Sequence, residues 1–136
     1  MGYYMICRKV NFKINNESKS LAHNAILELM SKVDDFGHEF YVSGRDTIRN
    51  FSWVNTSIVL KSKNLEEALK EWRWDPEVDD DLNIINLDFT GEKLGDDFEL
   101  FKAIAPFVQD GSYIEMSGED GDIWRWIFEG GKCIER

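Results

Sequence analysis

The chain has 136 residues, 43% hydrophobic and 31% charged, with five Trp, four Tyr, nine Phe and a formal net charge of −10. A chain of this length buries about two thirds of its unfolded surface around one core, and such aromatic content excludes a disordered segment. No apolar run approaches the ~20 residues of a membrane-spanning helix, and residues 1–10 lack the basic and then apolar order of a signal peptide. A single cytoplasmic domain over residues 1–136, with no membrane contact, is expected.

In chain order, residues 1–14 alternate, with Tyr4, Ile6, Val10 and Phe12 on one side and Arg8 as the exception, which predicts a long first strand. Asn15, Asn16 and Ser18 offer capping oxygens. Ala22, Ala25, Ile26, Leu29, Met30 and Val33 then recur at helical spacing, and residues 34–37 should end that helix. Residues 39–42 read as a strand, 43–46 as a turn, and 51–60 as another strand by their aromatic and β-branched content. Asn64 and Glu67 make a capping box ahead of Leu65, Ala68, Leu69 and Trp72, a short helix that Pro76 is expected to stop. Residues 83–89 read as a strand. Asp96 with Glu99 forms a second capping box before Phe98, Phe101, Ile104, Ala105 and Val108. Residues 112–117, 123–128 and 132–135 predict three strands joined by turns at 118–121 and at Gly130-Gly131.

Charge is distributed unevenly. Residues 75–99 carry ten acids and one base, Lys93, and hold nearly all of the negative excess. Asp96, Asp97 and Glu99 suit the positive end of a helix dipole. The remainder reads as a solvated loop or as an acidic face that steers a basic partner in a salt-sensitive encounter. The candidate partner-binding residues are Asp75, Glu77, Asp79, Asp80, Asp81, Asp96, Asp97 and Glu99, with Trp74 beside them as an aromatic anchor. Direct nucleic-acid binding is not expected, because phosphate contacts need clustered Lys and Arg. Asp75, Glu77, Asp79 and Asp81 have the alternate spacing of a calcium loop. Asp80, however, stands where the loop needs glycine and Asn86 where it needs a bidentate glutamate, so no metal is expected.

Trp124, Trp126 and Phe128 fall on one face of a strand, opposite Ile123 and Ile127, while Trp72 lies on the inner face of its helix. Most of these rings should fill the space between sheet and helices, although a strand with large apolar groups on both faces leaves room for a binding surface. Neither His23 nor His38 has a metal spacing, and no hydrolase, zinc-protease or phosphate-loop pattern is present. An enzyme is not expected and no cofactor is implied. Cys7 and Cys133 show no metal or redox motif and read as reduced thiols.

The opening Met1-Gly2-Tyr3-Tyr4, and the closing Gly121-Asp122-Ile123-Trp124 with Phe128-Glu129-Gly130-Gly131-Lys132, resemble a loose group of small phage and prophage proteins. Those begin MGYY and end on a strand of the type G-D-x-W-x-x-x-F-x-x-G-K. The glycine pair before Lys132 and the Arg125-Trp126 stretch depart from that pattern, and only the terminal segments take part. The resemblance implies a compact α+β fold and a mobile-element origin, and it implies no activity. Small acidic phage proteins are often inhibitors of host defence, including anti-CRISPR proteins, which is an association and not a mechanism.

The expected fold is α+β, an antiparallel sheet of about four to six strands with two or three helices and a C-terminal three-stranded meander. The expected function is a non-enzymatic acidic module that inhibits a basic protein partner, such as a nuclease or nucleic-acid-binding complex, in phage counter-defence. The alternatives are an immunity protein for a cognate toxin, which shares the acidic signature, and a small-molecule or metal-binding domain built on the tryptophan-rich strand.

Overall fold

The structure is a computed structural model that describes residues 2–32, 38–42 and 46–136. Strand β1 (Met5–Asn11) leads through a 3-10 turn into helix α1 (Lys19–Met30), and β2 (His38–Val42) pairs antiparallel with β3 (Asp46–Asn50). Two short helices, α2 (Thr56–Leu60) and α3 (Leu65–Glu71), precede the hairpin of β4 (Trp74–Val78) and β5 (Ile84–Phe89). Helix α4 (Asp97–Ile104) then leads to β6 (Tyr113–Gly118), β7 (Ile123–Glu129) and β8 (Lys132–Glu135). The last three strands form the expected meander, and the sheet order is β1-β6-β7-β8, antiparallel throughout. Gly130 (φ 60°) and Gly131 (φ 76°) supply the left-handed pair that a two-residue hairpin turn requires. The fold is therefore α+β, with four α-helices among the described residues where two or three were expected.

Several local expectations are corrected. The first strand is shorter than residues 1–14 and carries a bulge: Cys7 faces Met116 and Lys9 faces Glu115, leaving Arg8 as the extra residue. One extra residue inverts the alternation on either side of it. Met5 and Phe12 thus both point inward, at 2% and 0% exposure, while Tyr4 and Ile6 point out. Residues 56–60 are helix and not strand. The Asn55 side chain accepts the Ile58 N–H at 3.2 Å, and this cap outweighs the modest β preference of Ile58 and Val59. Ser18 and Asn15 make no side-chain cap, and the Asn16 N–H is taken instead by the Asn83 side chain at 2.8 Å. The stop assigned to residues 34–37, together with Val33 and the turn at 43–45, lies outside the described residues.

The cap at Asn64 forms as predicted, accepting the Glu67 N–H at 2.9 Å, while the Glu67 carboxylate reaches back to the Lys63 N–H at 3.0 Å. Pro76 does not stop α3. The helix ends where Arg73 turns left-handed (φ 75°), and Pro76 sits within β4. The Asp96–Glu99 box is also absent: the Asp96 carboxylate accepts from the Ser52 N–H at 2.7 Å, and Glu99 pairs with Lys102 at 2.7 Å.

The helices cover one face of the sheet, and the core between them is aromatic. Trp72, Trp74, Trp126, Phe12, Phe51, Phe101 and Phe128 are all fully buried. Phe101 on α4 lies 5.2 Å from Trp126 and 5.1 Å from Trp74, between the sheet and the hairpin. The hairpin is a separate two-stranded sheet set beside β1, tied to it by isolated backbone pairs at Tyr4–Lys93 and Ile14–Ile84. Burial of the tryptophan-rich strand follows its alternation, with Trp126 and Phe128 inside and Ile123 54% exposed.

The two terminal segments meet at one end of the sheet. The Tyr3 hydroxyl donates to Asp120, the Tyr4 N–H donates to the Glu119 carboxylate at 3.0 Å, and the Glu119 N–H donates to the Tyr4 carbonyl at 2.9 Å. Gly118 is glycine because a Cβ there would overlap the Tyr3 ring. These contacts tie Tyr3 and Tyr4 to the turn at residues 118–121. Gly118→Ala is expected to cost about 1–3 kcal/mol by overpacking, read as a lower melting temperature. A compensating Tyr3→Ala should restore part of the loss.

Candidate functional site

The sequence-selected acids divide into those that build the fold and those that face solvent. Asp97 is 0% exposed and holds a buried network: its carboxylate accepts from Arg73 Nη2 at 2.9 Å, Trp74 Nε1 at 2.9 Å and the Gly95 N–H at 3.0 Å. Trp74, expected as a surface anchor, is likewise 0% exposed. Its position at the start of an inward-facing strand register, opposite Phe89, places the ring in the core. Neither residue can offer a surface, and both are corrected to structural roles. Asp96 and Glu99 are half-buried and engaged with Ser52 and Lys102.

Asp79 shapes the hairpin tip. Its carboxylate accepts the N–H groups of Asp81 and Asn83 at 2.9 and 3.0 Å and the Asn83 side-chain amide at 3.2 Å. These donors, Asn83 foremost, hold its carboxyl below the usual carboxylate range. Leu82 (φ 66°) then turns the chain, 55% exposed, and its carbonyl accepts from Lys19 of α1 at 2.9 Å, which ties the tip to the body.

Asp75, Glu77, Asp80 and Asp81 remain as exposed carboxylates, and the structure adds Asp88, which sequence reasoning missed. Strand register brings three of the acids together, with Asp75 directly opposite Asp88 and Glu77 opposite Asn86 on the outer face of the hairpin, while Asp80 and Asp81 lie in its turn. Residues 75–92 contain no Lys or Arg to neutralise them. Asp88 belongs to the acidic segment 75–99, but its place opposite Asp75 is set by strand pairing and the turn, which the one-dimensional pattern does not give. Like charges placed opposite one another across a strand pair oppose folding. Asp88→Asn is therefore expected to leave the fold intact and to stabilise it by about 0.2–1 kcal/mol, measured by thermal unfolding at low salt.

Other candidates resolve into structural roles. Asp75 and Glu77 lie on an extended strand and cannot wrap a cation as a calcium loop does. Among the described residues, no group of three or more His, Cys, Asp or Glu could hold a metal ion. His23 Nε2 bonds Ser62 Oγ at 2.8 Å between helices, and burial lowers its pKa. Cys7 and Cys133 sit on the opposite edge strands of the four-stranded sheet, about 14 Å apart by strand spacing, so they cannot pair. Burial pushes their thiols up to about 11 and about 12, which keeps them protonated and inert at neutral pH. No helix among the described residues is long and apolar enough to cross a membrane.

The chain matches no protein-family model, no curated protein and no solved structure.

Proposed function

We propose that this chain is a non-enzymatic protein-binding module whose β4–β5 hairpin meets a basic protein and inhibits it. The partner class is one with a cationic groove, such as a nuclease or nucleic-acid-binding complex, and the setting is phage counter-defence.

The observation that carries this reading is the outer hairpin face. Asp75, Glu77 and Asp88 are exposed on the outer hairpin face, Asp80 and Asp81 are exposed at its tip, no Lys or Arg lies within residues 75–92, and Asp75 stands opposite Asp88 across the ladder. A fold gains nothing from that arrangement, whereas a cationic partner gains both steering and contact energy. Two apolar side chains at the same hairpin, Leu82 (55% exposed) and Ile85 (38% exposed), supply desolvated contact beside the charge. The hairpin is anchored on a rigid body by Lys19, Ile14 and Asn16, so its carboxylates are presented without a large ordering cost.

The test is capture of partners from a native extract by the tagged protein, washed at low and at high salt. A stoichiometric basic protein released as salt rises is the expected result. A partner retained equally at both salts would point away from the acidic face.

A further inference from the structure

The uncovered face of the sheet is charged in two halves of opposite sign. Strand β5 runs beside β1, and isolated backbone pairs beyond the ends of β1, Tyr4–Lys93 and Ile14–Ile84, hold the two segments together. The inner faces of hairpin and sheet share one core, with Trp74 of β4 6.2 Å from Trp126 of β7. Their outer faces therefore turn to the same side. The hairpin half presents Asp75, Glu77 and Asp88. On the β1-β6-β7 half, Arg8 at the bulge, Lys9 and Arg125 surround Glu115, and the other acid of this face, Glu129 at the end of β7, stands opposite Lys132.

Glu115 is only 6% exposed and acts as a clamp. Arg8 Nε donates to one of its oxygens at 3.1 Å and Arg125 Nε to the other at 2.8 Å. Held by Nε, each guanidinium keeps its terminal nitrogens for an outside acceptor, and both side chains are 45% exposed. The arginine pair, with Lys9 adding to the field, lowers the Glu115 pKa and keeps the clamp ionised. Two oriented forks of this kind suit carboxylates. Ile6, 66% exposed, and Ile123, 54% exposed, share this face as apolar margins.

We propose that a second copy of this chain covers this face, with the acidic half of each protomer set against the basic half of the other. A two-fold axis parallel to the strands, placed at the β1–β5 seam, lays the face on its own copy with the signs exchanged. Such a contact is isologous and closes at two copies. The charge complementarity lies within one chain, since the carboxylates of β4–β5 match the guanidinium groups of β1 and β7. Single-stranded nucleic acid is a poorer occupant: Tyr113 is already covered by the Arg125 guanidinium at 5.2 Å and Tyr4 by the Lys93 ammonium at 5.0 Å, and the acidic half repels phosphate. The dimer occupies the hairpin acids that the proposed partner would use, so the two states compete, but neither reading depends on the other.

Sedimentation velocity at low and high salt tests the proposal with the full chain. The wild type is expected to form a dimer at low salt that is lost at high salt. A variant with Asp75→Lys, Glu77→Lys and Asp88→Lys makes both halves of the face net basic. A second, with Lys9→Glu, Arg8→Gln, Glu115→Gln and Arg125→Gln, makes it acidic without leaving a buried charge unpaired. Each should be monomeric alone, and an equal mixture should restore the dimer. The single exposed change Lys9→Glu should weaken the wild-type dimer if the larger variant does not fold. A wild type that stays monomeric at low salt, or folded variants that dimerise unaided, would overturn the proposal. A monomeric wild type that still captures a basic partner would leave the partner reading standing.

Discussion

Asp97→Ala is expected to destabilise the protein by about 3–5 kcal/mol, the cost of leaving a buried charge without its counter-ion. Arg73 is the stranded partner: its side chain is 13% exposed, and Nη2 makes both of its short carboxylate contacts to Asp97. Alanine also orphans Trp74 Nε1 and the Gly95 N–H, each of which has Asp97 as its acceptor. The site has little room to relax. A Cβ at Gly95 would come within 2.8 Å of Arg73 Nη2, and Arg73 is pinned further by the Lys93 carbonyl at 2.7 Å and the Phe89 ring. Against a typical total of about 5–15 kcal/mol, this is a large fraction, and the variant should unfold at a clearly lower temperature and urea concentration. Urea unfolding of Asp97→Ala beside Glu77→Gln checks this, because the second change removes an exposed carboxylate of the same hairpin region and should be nearly silent. Equal, small effects would mean that the network contributes no more than surface charge.

Trp126→Ala should cost a similar amount, about 3–5 kcal/mol, for a different reason: it opens a large cavity. The indole is fully buried and is the meeting point of sheet, hairpin and α4, with Phe101 at 5.2 Å, Trp74 at 6.2 Å and Trp124 at 6.2 Å. Its Nε1 also donates to Glu135 at 2.8 Å, so the change frees that acceptor on β8. Trp126→Phe retains most of the volume and should recover much of the loss. Trp53 is the control. It is 49% exposed, and Trp53→Ala should change the unfolding midpoint far less than Trp126→Ala.

What the sequence made legible follows from how local each signal is. The meander was readable because its turns use residues that carry their own geometry, Gly130-Gly131 above all. The Asn64 cap was readable for the same reason. Burial of Trp126 and Phe128 came through alternation, which needs no knowledge of neighbours. The first strand misled because the bulge at Arg8 changes register without any special residue to announce it. Asp96 and Glu99 fit a capping box by spacing, yet Ser52 and Lys102 compete for their carboxylates, and those partners are set by tertiary packing. Trp74 and Asp97 were misread as surface for a related reason: Asp97 belongs to an acidic run in sequence, and only Arg73, folded against it, shows that it is a buried counter-ion. The pairing of Asp88 with Asp75 and the Arg8–Glu115–Arg125 clamp depend on strand register and lay beyond any one-dimensional pattern.

A test of the acidic hairpin face leaves Asp79 untouched, because that side chain holds the turn. The most direct measurement compares capture of basic proteins at low salt by the wild type and by a variant with Asp75→Asn, Glu77→Gln, Asp80→Asn, Asp81→Asn and Asp88→Asn. These five changes remove the exposed charge while sparing every carboxylate of the buried network. The expected result is a folded variant, at least as heat-stable as the wild type, that no longer retains the partner. Undiminished capture by that folded variant would contradict the account and reduce the acidic face to solvation.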